Sequence, residues 1–327
     1  MIKPALGSSS LIKTESGRSV TIVMYHYVRD LERSRYPRIK GLSIDRFRNQ
    51  LGYIQANYVP ISAEDLLEAV NFPHRKLPEN AILLTFDDGY SDHFENVLPL
   101  LKEKGIKACF FPMAQAILEH RVLDVNKIQF ILAAAPNVSK LLDEVFDALA
   151  EFRSEYSLKS REAYLMSITE KHRYDPREVT IFKRLLQREL PEPVRAKLVQ
   201  RLFAEHVSSD EAAFSDELYM SLEQLGMLHS EGMHIGSHGY RHVWLNHLSP
   251  ECQEVEVDRS LEFLRQAGIP LRDWTICYPY GGVDESLIEI LRTRRCSLGF
   301  TVEPRIADLE REDRLTLPRI DTNDLPS

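Results

Sequence analysis

Residues 81–92 read AILLTFDDGYSD: a nearly unbroken apolar run from Ala81 to Phe86, then Asp87, Asp88 and Gly89. A short apolar run without alternation suits a parallel strand covered on both faces. The two carboxylates and the glycine then stand at its C-terminal exit, where parallel α/β folds collect their active-site groups. The plain alternative is an Asx turn, in which Asp88 and Gly89 only reverse the chain. The flanking sequence decides between the two.

Upstream, TIVMYHYV (21–28) is rich in β-branched and aromatic residues and reads as a strand. SIDRFRNQLGYIQAN has helical spacing behind a serine cap, YVPIS is short and extended, and AEDLLEAV is helical again. Downstream, NVLPLLKEKG reads as an amphipathic helix closed by Gly105, and IKACFFP as the strand that completes a βαβ unit. The same rhythm returns at SLEQLGMLHSEGMHIGSH and runs through CQEVEVDRSLEFLRQAG, WTICYPY, DESLIEILRTRRC, LGFTV and RLTLPRI. Strands and helices alternating at this spacing predict a parallel α/β barrel or a wound sheet. Residues 119–225 break the rhythm: KLLDEVFDALAEF, SREAYLMSITEK and PVRAKLVQRLFAEH are amphipathic helices, with Pro136, Pro176, Pro191 and Pro193 as breaks. They read as an all-helical insertion in one α/β domain formed by 20–118 and 226–327, behind a polar leader at 1–19. Because it departs after a strand, on the active-site face, the insertion is expected to serve as a lid or an oligomer contact.

Composition removes some functions. A net charge of -8 argues against a general nucleic-acid binder, whose phosphate contacts need a basic patch. Cys109, Cys252, Cys277 and Cys296 form no CxxC pair, so neither a disulfide framework nor a thiolate metal site is indicated. The first residues lack the apolar core of a signal peptide, and no run approaches the roughly 18 apolar residues of a membrane span. The expected location is the cytoplasm, with room for association at a membrane surface.

The second chemical signal is MHIGSHGYRHVWL (233–245), where His238 and His242 stand four apart after another strand. On a helical turn that spacing puts both imidazoles on one face, close enough to share a cation. The alternative is a pair of packing histidines. Two histidines and one carboxylate at strand ends make a three-ligand site with room for water and substrate, and the neighbouring carboxylate is available as a base.

With these pieces assembled, the chain resembles the polysaccharide deacetylases, carbohydrate esterases with the NodB-homology fold. TFDDGY, HGYRH and CYPYGG look like the family's first three motifs, and VMYHYV, FRNQLGYIQANYVPISAEDL and NVLPLLKEKGIKACFFP share its texture. The resemblance spans about residues 20–118 and 226–321. It implies a distorted parallel (β/α) barrel in which Asp87 is the catalytic base and Asp88, His238 and His242 bind a divalent metal, commonly Zn2+. That metal would polarise the acyl carbonyl and activate water. A backbone N–H near Tyr280 would receive the oxyanion while Pro279 and Tyr280 wall the sugar pocket.

Three departures stand out. Gly239 replaces the usual Ser or Thr after the first histidine. Cys277 replaces an arginine that steadies the catalytic aspartate, and Arg319 in LPRID is the candidate substitute. The general-acid histidine that many members carry near the C-terminus is absent, because no histidine follows His247. His26, at the end of the first strand, is the best remaining candidate. His234 reads as a buried, hydrogen-bonded histidine, and His93 as a residue of the following helix, solvated or facing substrate. Tyr90 and Trp244 could stack on a sugar, and Asp321 and Asp324 could line the site.

The expected function is metal-dependent removal of the acetyl group from an amino sugar, a nucleotide- or lipid-linked intermediate of surface polysaccharide or glycolipid synthesis. The alternatives are a catalytically silent carbohydrate-binding or scaffolding protein, and a related deformylase or O-acetyl esterase.

Overall fold

The computed structural model describes residues 17–169 and 175–327, so most of the expected leader lies outside the described residues. Among these, eleven strands form: β1 (Ser19–Tyr25), β2 (Val28–Arg29), β3 (Leu42–Ser43), β4 (Val59–Pro60), β5 (Ala81–Asp88), β6 (Ala108–Pro112), β7 (His234–Ile235), β8 (Thr275–Cys277), β9 (Leu298–Phe300), β10 (Ala307–Asp308) and β11 (Ile320–Asp321). β5 is buried along its whole length, as its apolar run demands. The fold is mixed α/β, built on a parallel sheet.

The sheet runs β10-β1-β5-β6-β7, with β4 on β5 and β11 on β1. All of these pairs are parallel except β10 with β1. β8 and β9 pair with each other in parallel, and two isolated bridges extend the ladder, Ser237 with Ile276 and Phe300 with Leu317. Several predicted strands are shorter than their apolar runs: RLTLPRI contributes only the Leu317 bridge and β11, because Pro318 has no N–H to donate.

Strand residues alternate between two apolar cores, as a pleat requires. Val23, Tyr25, Ile82, Leu84, Phe86, Ala108 and Phe110 enter one core with the helices Ile44–Asn57 and Pro250–Gln266. Val20, Ile22, Leu83, Cys109 and Phe111 enter the other, where they meet Cys277, Leu298, Phe300 and Leu317.

The first long helix begins at its predicted serine cap, and the second at a serine expected to lie in an extended stretch. Ser43 caps Ile44–Asn57 and Ser62 closes a capping box on Ala63–Asn71, while Gly105 ends Leu98–Lys104 in the left-handed conformation at φ 65°. None of the described helices is long and apolar enough to cross a membrane.

The described residues fall into two compact units: 17–30, 41–120 and 216–327 in one, and 31–40 with 121–215 in the other. The first holds the sheet. In the second, the helix Asp124–Ala134 packs against Glu192–His206, and Lys127 is buried on Glu211 at 2.9 Å and Gln200 at 2.6 Å. Residues 31–40 belong to this unit although the sequence offers no helical signal there.

Candidate active site at the exit of β5

β5 delivers two adjacent carboxylates to one place by breaking its own geometry. Asp87 continues the face of Leu83 and Thr85, whereas regular alternation would turn Asp88 away. Asp88 instead adopts φ 71° and Gly89 follows at φ 73°. Aspartate tolerates this left-handed conformation better than most residues. Gly89 is required for a further reason, since a Cβ there would lie 2.7 Å from Cα and Cβ of Pro112 on β6.

Asp87 is gripped by Arg319. Nη1 donates to Oδ1 at 2.9 Å and Nη2 to Oδ2 at 2.8 Å, a two-pronged fork. Arg319 is itself 1% exposed, and it also donates to the Thr301 carbonyl, the Thr85 hydroxyl, Cys277 Sγ and Met24 Sδ. The Cys277 thiol donates in turn to Asp87 Oδ2 at 3.4 Å. Burial would raise the Asp87 pKa, but the charge of Arg319, helped by His238, brings it down to about 2. The carboxyl is therefore ionised throughout the neutral range.

Asp88 has different company. The Tyr90 hydroxyl donates to Oδ2 at 2.5 Å. Oδ1 is buried without a hydrogen-bond partner, with His238 Nε2 at 3.4 Å and His242 Nε2 at 3.5 Å. His238 Nδ1 lies 2.7 Å from the Cys277 carbonyl, which can only accept, so Nδ1 carries a proton and Nε2 is the ring nitrogen turned to Asp88. Burial disfavours a charge on His242 and lowers its pKa to about 4, which keeps that imidazole neutral. Burial opposes charge on His238 too, but Cys277, Asp88 and Asp87 outweigh it and hold its pKa well above the usual value.

These donors fit a cation. Asp88, His238 and His242 offer ligand atoms all within 4.8 Å of one another, and the carboxylate oxygen among them is an orphan. A second cluster, Asp87, His238 and Cys277, meets the same spacing. There Arg319 already supplies protons to both Asp87 oxygens and to the sulfur, so the positive charge is in place.

His238 and His242 do not sit on a helical turn, as their spacing suggested. They belong to a loop after β7 that bends at Gly239, φ 76°, and again at His242, φ 55°. Glu256, on the helix Pro250–Gln266, pins this loop by accepting from the backbone N–H groups of Tyr240 at 3.1 Å and Arg241 at 3.0 Å. A glutamate at helical spacing among Val257, Leu261 and Leu264 was the available signal for that role. Tyr280 is also left-handed, at φ 57°. Asp88, His242 and Tyr280 thus place strained backbone together at one site.

Tyr280 packs edge-on to His242, with centroids 4.6 Å apart, and stacks on Trp244 at 4.9 Å; Trp244 stacks in turn on His247 at 5.5 Å. Pro279 is buried beside them. His26 follows β1, half-buried and within electrostatic range of both Asp87 and Asp88.

Two expectations need correction. Tyr90 offers no face to a sugar: it is fully buried, with its ring stacked on Tyr27 at 3.9 Å and Tyr219 at 6.0 Å. His93 is neither solvated nor facing substrate. It is 0% exposed among Phe86, Tyr90 and Phe110, and its Nε2 lies 2.9 Å from the His26 carbonyl. His234 pairs with the Thr275 hydroxyl at 2.8 Å, away from the metal-type cluster. Asp321 caps the short turn Thr322–Asp324.

The family model for polysaccharide deacetylase matches residues 74–150 and 202–298, and the chain belongs to that family. It is 31% identical over 110 residues to YxkH of Bacillus subtilis (strain 168), a match covering 34% of this chain and 37% of that protein. Among solved structures, the fold resembles the Streptococcus pyogenes deacetylase PplD in complex with acetate, with TM-score 0.56, 17% identity, and 94% of this chain and 93% of that one covered. IcaB from Ammonifex degensii gives TM-score 0.53 at 20% identity over 94% and 93% of the two chains. The deacetylase domain of BpsB from Bordetella bronchiseptica gives 0.55 at 14% over 93% and 96%.

Proposed function

We propose that the protein is a metal-dependent N-deacetylase that hydrolyses the acetamide of an amino sugar. The observation that carries this reading is the unpartnered Asp88 Oδ1 facing two imidazole Nε2 atoms, beside a separate carboxylate already neutralised by arginine. One carboxylate is equipped for a cation and the other for a proton. Membership of the family and likeness to named deacetylases agree with it.

In this proposal Asp88, His238 and His242 hold the divalent ion, Zn2+ by the nitrogen and oxygen character of the donors. Bound there, it would supply Lewis-acid polarisation of the acyl carbonyl and an acidified water. Asp87, ionised and aimed by the Arg319 fork, takes the proton from the attacking water. The backbone at Tyr280 faces the developing oxyanion, and Tyr280 with Trp244 and Pro279 walls the sugar. His26 protonates the leaving amine: it lies on the strand-end rim and within the charge field of both aspartates. His26→Gln should lower kcat by about 10²-fold and remove one limb of the pH–rate profile. An unchanged profile would assign the amine's proton to another group.

The strands are proposed to form the distorted barrel. The Ser237–Ile276 and Phe300–Leu317 bridges support it, as does Phe111 of β6 meeting Phe300 of β9 at 5.5 Å in one core. Residues 119–225 are proposed as an insertion acting as a lid or oligomer contact. A cytoplasmic location and a nucleotide- or lipid-linked sugar complete the proposal.

The test is acetate release by zinc-loaded protein from a panel of nucleotide-linked, lipid-linked and polymeric N-acetyl amino sugars. Release from at least one class is expected, and silence across the panel would overturn the enzymatic reading.

A further inference from the structure

We propose that Tyr90 is a positioning residue of the metal site: its phenol engages Asp88 Oδ2 and thereby aims Oδ1 at the two histidines. This rests on the metal-dependent reading above and assigns to the fourth residue of DDGY a task other than sugar contact.

The Tyr90–Asp88 separation of 2.5 Å is that of a charge-assisted O–H···O⁻ bond. Tyr90 cannot easily swing away. Its ring is 0% exposed against Tyr27 and Tyr219, its backbone bridges that of Tyr219, and the Met220 N–H donates to the Gly89 carbonyl at 2.9 Å. The asymmetry of the carboxylate completes the argument. Oδ2 has a close donor, whereas Oδ1 makes no such bond and faces His238 Nε2 at 3.4 Å and His242 Nε2 at 3.5 Å. A carboxylate fixed at one oxygen presents the other at no further cost in rotational freedom, as partners of metal ligands commonly arrange.

Tyr90→Phe retains the ring and its stacks but removes the donor. Zinc affinity, measured by chelator competition, should weaken about 10- to 100-fold, and the visible spectrum of the cobalt-loaded protein should change. In an Asp88→Asn background the same substitution should alter affinity by less than about twofold, because the carboxylate it steers is gone. Equal or tighter zinc binding by Tyr90→Phe, or an undiminished effect in the Asp88→Asn background, would overturn the proposal. Should Tyr90→Phe not fold, 3-fluorotyrosine at position 90 keeps the shape and changes the hydroxyl's acidity. A shift in zinc Kd of twofold or more is then expected, and an identical Kd would overturn the assignment. Acetate release by the wild type judges the enzymatic reading separately from this ratio of affinities.

Discussion

Asp87→Asn is expected to reduce acetate release by about 10³-fold while leaving zinc stoichiometry at the wild-type value. The amide matches the carboxylate in shape but cannot take a proton from water. Metal content should be untouched, because the cation is assigned to Asp88, His238 and His242, and Asp87 is committed to Arg319 through both oxygens. Parallel assays of acetate and of bound zinc check the two halves. Loss of zinc in Asp87→Asn would show that the carboxylates share the ion, and full activity would remove Asp87 from proton transfer.

Arg319→Met should be the most destabilising single change at the site. It leaves the Asp87 carboxylate, 2% exposed, without its counter-charge. Breaking a buried pair from one side costs about 3–5 kcal/mol, or roughly 10 °C in Tm for a unit of this size. The pH dependence should change sign as well. In the wild type the Asp87 pKa is lowered from 3.8 to about 2. Its contribution to stability is therefore complete above the unfolded value and lost as pH falls through that window. Without the arginine, burial raises the pKa instead, so acidification through the carboxylate range should stabilise the variant relative to its own value at neutral pH. Thermal melts of both proteins across that range measure the effect. Parallel acid profiles would exclude the pair as the source of the low pKa. Lysine at this position keeps a charge but not the fork, and should recover only part of the loss.

The parts of this molecule that announce themselves in sequence are those fixed by local chemistry. The apolar run 81–86 could be read as a buried parallel strand because β5 is covered on both faces, and Ser43 and Gly105 marked helix ends through their own hydrogen bonds or backbone preference. The DDG carboxylates and the histidines of HGYRH could be grouped because each follows a strand, whereas CYPYGG joined them only through the family resemblance. The hidden parts depend on distant partners. Arg319 was legible only as a candidate, since its fork on Asp87 joins residues 232 apart. Tyr90 was misread because an aromatic next to a site suggests ligand stacking, and nothing local reveals that Tyr27 and Tyr219 already occupy its faces. The bend that replaces a helical turn between His238 and His242 is set by Glu256 from another element.

The left-handed pair at Asp88 and Gly89 has an evolutionary consequence. Loops at the rim of an α/β sheet are ordinarily replaceable, and new specificities arise by exchanging them. Here the proposed proton acceptor and the proposed metal ligand are successive residues on a single bend packed against Pro112. Neither can be relocated without dragging the other, so drift in this chain is channelled into the surrounding supports. The Cys277 thiol and Arg319, which reaches Asp87 from just before β11, are such supports.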